Sequence, residues 1–488
     1  MSGRNLLLDP CWQAIDLGHP LPDSPHAVSV ALPRWRDVVA YEENDPACRA
    51  ALRTAYPRFV MHPLLREVAE AALAQTSFAS AWPFPSQAAA ELARAHCLRV
   101  SPGSHTAVVP SGSLWCLLAA ADATPAATAF WQHTGLGASS RLAAQALGRE
   151  PVPPADHGRW ARRQLQRRLA AIHGGRPERV RLLPSGMAAL DLGLRAISAL
   201  RPGRPTLQVG FPYVDVLKLP QVIHSGGELV LNGEPERLAE ALDRVEPAAV
   251  IVELPSNPML GCVDLPALAA LTRARGIPLV VDDTIGSSLN IETRPHADLV
   301  FTSLTKSFAG RGDILAGSLV VSEDSPWREP LTALTAEPAA ELSDADAIAL
   351  ERASRDVADR VARLNHHCAL LAARLEGHPA VARVLHPAAS PAFRRLLRPG
   401  GGSGCLLSFE LRGGEASAAR VYDSLRVCKG PSLGTPFTLV CPYVLLAHYH
   451  ELAWAEGCGV PRSLLRVSVG LEPPEELWQR FESALERA

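Results

Sequence analysis

The sequence predicts an α/β protein: a mainly parallel sheet covered by helices on both faces, followed by a smaller α+β domain. Three observations predict it. From about residue 180, short apolar runs ("RVRLLP", "PTLQVGFPY", "AAVIVELP", "IPLVVDD", "DLVFTSL", "AGSLVVS") are separated by segments of helical periodicity. That alternation is the pattern of a parallel sheet with helices on either side. Beyond about 335 it loosens into strands "VARVLHP", "CLLSFEL" and "LLRVSVGLE" and a closing helix "PPEELWQRFESALERA". The length of 488 residues and the 47% of hydrophobic residues suffice for two or three cored domains.

Taken in order, residues 1–125 are rich in proline and aromatic side chains, as in "AYPRFVMHP" and "SAWPFPSQ", with one helical stretch, "HPLLREVAEAALAQ". They read as an irregular extension wrapping something larger. Residues 126–335 hold the strand and helix alternation, with helices "SGMAALDLGLRAISAL", "PERLAEALDRVE" and "LPALAALTRARG". Residues 336–488 begin with "LSDADAIALERASRDVADRVARLNHHCALLAARLE", read as one long amphipathic helix capped by Ser343 or Asp344 and bridging two domains.

A formal net charge of −2 gives no reason to expect nucleic acid or an anionic membrane as partner. The ten cysteines are scattered singly, without a C-x-x-C pair, so neither a zinc site nor a disulfide framework is expected. "MSGRNLLLDPCWQ" is too polar for a leader, no run of 18 apolar residues occurs, and a cytoplasmic location is the default expectation. His366 and His367, or His448 and His450, lack a third ligand at matching spacing, and no metal is expected.

Chemistry concentrates around "SLTKSFAGRGD". Lys306 is one of three lysines, with Lys218 and Lys429, in a chain whose other basic residues are arginine. A guanidinium pairs with anions as well as an amine does, but only an amine condenses with an aldehyde. The plain alternative is a lysine that snorkels from a strand end. Four upstream features suit an aldehyde cofactor carrying a pyridine ring and a phosphate. In "LLPSGMAALDL" a strand runs through Ser185 and Gly186 into a helix whose free amides suit a phosphate, or Ser185 is an ordinary cap. "IPLVVDDT" ends a buried strand on Asp282 and Asp283, where a carboxylate can pair with a protonated ring nitrogen, or cap a turn. Ser303 and Thr305 offer hydroxyls to the phosphate. Tyr213 in "GFPYVDVL" offers a stacking ring, or is a core tyrosine.

With "ELPSNPML", "SLGTPFTL" and "LRVSVGLE" added, this order of blocks resembles the Cys/Met-metabolism family of pyridoxal 5′-phosphate (PLP) enzymes. "LGHPLPDSPHAVSVALP", "YPRFVMHP" and "QHTGLGASSRLA" are similar to its long, fungal-type cystathionine γ-synthase-like branch. The resemblance implies PLP fold type I, aspartate-aminotransferase-like, with a seven-stranded large-domain sheet. It implies that Lys306 carries the cofactor, Asp282 faces the ring nitrogen and Tyr213 stacks. It places the phosphate on the Gly186 and Met187 backbone with Ser303 and Thr305, and the ring oxygen on Asn257. Arg466 would clamp the substrate carboxylate, with Ser432 beside it. The family's interfacial Tyr-Ser-Arg segment corresponds to Ser139-Ser140-Arg141, which lacks the phenol but keeps Arg141 for a neighbour's phosphate. A homodimer or homotetramer acting on small amino acids is implied.

The implied reaction is γ-replacement on an O-acyl homoserine, with a thiol such as cysteine giving cystathionine. Lys306 would move the protons and Tyr213 assist the leaving group. A γ-lyase, or γ-substitution with another nucleophile in a specialised pathway, would use the same residues. A non-catalytic scaffold would predict a damaged site, whereas lysine, aspartate, phosphate cup and arginine are all present.

Overall fold

The structure, a computed structural model, describes residues 4–54, 56–231 and 233–488. Residues 1–3 of the opening segment, read above as too polar for a leader, lie outside the described residues.

The stretch expected to be irregular contains a three-stranded antiparallel sheet, β1 (Ser80–Phe84), β2 (Thr106–Ser111) and β3 (Leu114–Ala119), in the order β1-β3-β2. Two prolines of that stretch, Pro83 and Pro110, lie on the two outer strands, where an absent amide leaves no gap inside the sheet. The helical stretch is present as Pro63–Leu73.

The large sheet has seven strands: β4 (Val180–Leu183), β5 (Thr206–Val209), β6 (Gly227–Val230), β7 (Val250–Glu253), β8 (Leu279–Asp282), β9 (Leu299–Thr302) and β10 (Gly317–Val321). Their order is β4-β10-β9-β8-β7-β5-β6, and only β10 runs antiparallel to its neighbours. The edge strand β6 is the one without a predicted counterpart, being short, half-buried and opened by Gly226 and Gly227. Side chains alternate across the central strands. Ile251 and Val280 enter a core with helix Gly186–Leu200, while Val250, Val252 and Val281 meet helices Pro235–Val245 and Leu265–Ala274 on the other face.

The C-terminal sheet, in the order β11-β12-β15-β14-β13, comprises β11 (Val381–Leu385), β12 (Leu406–Leu411), β13 (Cys428–Lys429), β14 (Leu439–Pro442) and β15 (Leu465–Ser468). The long helix expected before it is two, Asp344–Ala353 and Val357–Glu376, with Ser343 as N-cap of the first. They part where Ser354 donates back to the Leu350 carbonyl (2.7 Å) and accepts from Arg168 (2.6 Å), local bonds that compete with a continuous helix.

The N-terminal segment divides its packing between the two halves. Val30, Leu32, Val38, Tyr41 and Cys48 join a core with Leu407, Phe409, Tyr422, Val467 and Phe481. Phe84 and Leu117 join one with Phe130, Trp131, Leu190 of helix Gly186–Leu200, and Leu183 and Phe301 of the large sheet. Between these two cores, Tyr56, Pro57 and Arg58 line a cleft with Glu253 and Asp282, at the carboxyl ends of the large-sheet strands.

Candidate active site

The sheet itself assembles the acidic side of the site. Strands β7 and β8 pair in parallel register with Glu253 opposite Asp282, so both carboxyls emerge at the carboxyl end of the sheet, where open α/β sheets bind ligands. Burial raises the Asp282 carboxyl to about 7, although it accepts from the Thr284 amide (2.9 Å). Burial, and then Asp282 itself, push Glu253 well above its ordinary value, while its Oε2 takes the amides of Tyr213 (2.8 Å) and Asn257 (3.2 Å). A buried carboxyl raised in this way is one that a cationic ligand group would return to its ionised form.

Lys306 follows β9 in a tight turn, its amide donating to Ser303 O (3.2 Å) and its carbonyl accepting from Gly310 (2.8 Å). Its Nζ donates to the hydroxyls of Ser432 (3.0 Å) and Tyr56 (3.2 Å). Burial lowers the amine below its usual value, with Tyr56 opposing. Burial alone would raise the Tyr56 phenol, but Lys306 and Arg58 outweigh it and bring it below the ordinary tyrosine range. Ser432 holds φ at +91°, a left-handed conformation that is strained for a residue with a side chain. Beneath it, Gly434 lies so close to the Lys306 turn that a Cβ would stand 2.3 Å from the Ser307 nitrogen.

On the opposite wall, helix Gly186–Leu200 starts at Ser185, whose hydroxyl caps the Ala188 amide (3.1 Å) and donates to Gly135 O (2.9 Å). The amides of Gly186 and Met187 have no partner within the helix, and the dipole's positive end adds to them. A Cβ on Gly186 would lie 2.8 Å from that of Ser303, so glycine allows the helix to start against the end of β9. The Thr305 hydroxyl is exchanged with Ala316, donating to its oxygen (3.2 Å) and accepting from its amide (3.0 Å).

Arg466, on β15, donates to Asn257 Oδ1 (3.1 Å) and Ser432 O (2.9 Å) and lies over the Tyr443 ring at 4.6 Å. Its Nε is buried without a hydrogen-bond partner among the described residues. Asn257 Nδ2 donates to the Tyr443 hydroxyl (3.1 Å).

Ten of the residues expected in a site thus line one cleft: Gly186, Met187, Tyr213, Asn257, Asp282, Ser303, Thr305, Lys306, Ser432 and Arg466. The cleft encloses about 750 Å³ of empty space, mouth included, within the size of small-molecule sites. Arg141 does not line it. It stands in an adjoining cavity, donating to Asp313 O (2.6 Å) and Asp346 Oδ1 (3.3 Å).

Three ionisable residues that line the cleft were not among the expected site residues: Tyr56, Arg58 and Glu253. Tyr56 and Arg58 come from the crossing segment, in "AYPRFV", with the Tyr-x-Arg spacing that Ser139-Ser140-Arg141 lacks. That spacing was the available signal. Arg58 donates to the Tyr213 hydroxyl (3.0 Å), to Gln132 O (3.1 Å) and to Asp215, which holds the guanidinium above its ordinary range despite burial.

The donor set fits a flat, phosphate-bearing aldehyde with a basic ring nitrogen. Free helix amides and the Gly186 cradle suit the phosphate, Asp282 the nitrogen, and the Lys306 amine the aldehyde.

Comparison with known proteins agrees. Residues 157–486 match the family model for Cys/Met metabolism PLP-dependent enzymes, and residues 64–139 that for the N-terminal domain of fungal trans-sulfuration enzymes. Cystathionine gamma-synthase of Neurospora crassa is 30% identical, covering 97% of this chain and 98% of that one. The L-2-amino-4-chloropent-4-enoate dechlorinase/desaturase of Streptantibioticus cattleyicolor is 36% identical, covering 96% and 98%. The crystal structure of cystathionine gamma synthase from Xanthomonas oryzae pv. oryzae in complex with aminoacrylate and cysteine superimposes with a TM-score of 0.60. It is 28% identical and covers 67% of this chain and 85% of that one.

Proposed function

The chain belongs to the family of Cys/Met metabolism PLP-dependent enzymes, with the PLP fold type I architecture and pyridoxal 5′-phosphate as cofactor, and on that premise we propose that it catalyses γ-replacement on an activated homoserine. O-acetyl- or O-succinyl-homoserine is the first substrate and a thiol such as cysteine the second, giving cystathionine. The Cγ–O bond breaks and the carboxylate departs, a Cγ–S bond forms, and the one proton lost by the thiol balances the carboxylate's charge. No oxidant or reductant is needed.

When bound, the cofactor supplies an electron-accepting ring that stabilises negative charge at the substrate's α-carbon. The protein's residues do the rest. Lys306 would hold the cofactor and carry protons; burial lowers the amine below its ordinary value, which favours the neutral, basic form. Asp282 would face the ring nitrogen. Gly186, Met187 and Ser303 would hold the phosphate, with Arg58 of the same chain as the nearby guanidinium, while Thr305 braces the turn. Tyr213 would stack on the ring and Asn257 would meet the ring oxygen. Arg466 takes the substrate carboxylate through its unpartnered Nε, with Ser432 orienting Lys306 beside it. Tyr56, depressed and 3.2 Å from Lys306, joins Tyr213 as a proton donor toward the leaving group. Arg141, in the adjoining cavity, is left for contact with a neighbouring subunit in a dimer or tetramer.

The observation that carries this reading is the conjunction of Lys306, Asp282 and Arg466 in one cleft, in a chain aligned end to end with a cystathionine gamma-synthase. A second reading, γ-elimination without a nucleophile, is favoured by the 36% identical dechlorinase/desaturase. Product analysis with O-acetyl- and O-succinyl-homoserine, each with and without cysteine, separates them. A cysteine-dependent thioether supports replacement; oxobutyrate with no thiol adduct overturns it.

A further inference from the structure

A side cavity opens beside the Lys306 cleft toward the N-terminal segment, sharing Tyr56, Tyr213, Ser432 and Arg466 with it. Phe59, Tyr443 and Leu446 contribute apolar and aromatic wall. Two polar groups on this wall stand apart. Tyr41 is 5% exposed and its hydroxyl has no hydrogen-bond partner among the described residues, although a buried phenol ordinarily finds one. Glu42 ends helix Trp35–Glu42, where the dipole's negative end disfavours an anion. Arg49, the cation that acts on Glu42 among the described residues, lies over the Tyr41 ring at 5.4 Å and bonds Asn44. The fold thus holds a carboxyl whose charge its own groups do little to stabilise, with a hydroxyl unpaired among the described residues beside it in sequence and in the same cavity. Local conflicts of this kind mark functional positions.

We propose that Glu42, with Tyr41, binds the ammonium group of the second amino acid, so that the enzyme selects an α-amino thiol over a thiol lacking the amine. The assignment rests on the γ-replacement reading. In that reading Arg466 is committed to the carboxylate of the first substrate, and the nucleophile approaches through the remaining space. An ammonium is the cation such a nucleophile carries. Aromatic walls attract it, and a carboxylate supplies the charge-assisted bond that distinguishes it from a neutral chain end. Burial raises Glu42 to about 8 in the ligand-free cavity, and a bound cation reverses that shift.

The test compares cysteine with 3-mercaptopropionate, which keeps thiol and carboxylate but lacks the amine. In the wild-type holoenzyme cysteine is preferred in kcat/KM, and in Glu42→Gln that preference falls roughly tenfold or more, chiefly through the KM for cysteine. Glu42→Asp restores part of it. Calorimetric titration of cysteine into borohydride-reduced holoenzyme, whose cofactor no longer reacts with amines, gives a readout independent of turnover. Binding weakens by a similar factor in Glu42→Gln and less in Tyr41→Phe. An unchanged preference and unchanged cysteine binding in Glu42→Gln overturn the assignment while leaving γ-replacement intact. Absence of any thiol adduct in the wild type overturns γ-replacement, and the titration still decides whether Glu42 reads an ammonium.

Discussion

The amine of Lys306 and the phenol of Tyr56 stand 3.2 Å apart, joined across 250 residues of sequence, and each is held below its usual pKa. Tyr56 partly offsets the effect of burial on Lys306 by favouring its charged form. Replacing Tyr56 by Phe therefore lowers the amine further, and neutral, reactive Lys306 emerges at lower pH. Peptide-mapped acylation of the cofactor-free protein across pH should show this downward shift in midpoint. An unchanged midpoint would mean that the pair is not coupled.

Asp282 gives a pH dependence of stability in the cofactor-free protein. Its folded value, about 7, lies above the ordinary 3.8, so between these pH values the folded state binds the extra proton. Stability from this group is fully present below 3.8 and is lost as pH rises through 7, by an amount on the order of a few kcal/mol. Urea unfolding of Asp282→Asn across that window should show a flatter pH slope than wild type. In the holoenzyme the same change should lower kcat by roughly a hundredfold or more, since the amide cannot hold the ring nitrogen's proton in place.

Gly186→Ala tests the helix start without altering helical propensity unfavourably. The added methyl, 2.8 Å from Ser303 Cβ, pushes the helix away from β9. Overpacking of this kind costs about 1–3 kcal/mol. The expected result is roughly tenfold weaker retention of cofactor on dialysis, with secondary structure preserved by circular dichroism.

Arg466→Lys keeps the charge and loses the fork that bonds Asn257 and Ser432 at once. The KM for the acyl-homoserine should rise by roughly tenfold or more, with a smaller change in kcat. A kcat loss at constant KM would place Arg466 in the chemistry rather than in substrate capture.

Much of the cleft was readable from local order along the chain. Asp282 ends an apolar run, Ser185 and Gly186 join a strand to a helix, and Lys306 sits two residues after the end of another run with an apolar residue on its near side. Each is a strand-end position, and strand ends are what hydrophobic pattern reveals. Tyr56 and Arg58 are different in kind. Their place depends on a segment carried between two distant cores, and the prolines around them read as loop. Glu253 is also a strand-end carboxyl, but its relation to Asp282 exists only in the β7–β8 register. The break at Ser354 likewise depends on Arg168, 186 residues away, and no periodicity within the helix announces it.

The crossing N-terminal segment has a consequence for biogenesis. The Cys11 amide donates to Cys428 Sγ and the Ser29 hydroxyl to the Pro431 carbonyl, across 417 and 402 residues, and Val30, Leu32 and Val38 pack against strands that include Val467. On the ribosome these apolar side chains emerge hundreds of residues before the strands they pack against. Docking of this segment therefore follows synthesis of those strands, after an interval of exposed hydrophobic surface. Recombinant yield should depend on chaperone supply and slow translation more than on the stability of the finished enzyme.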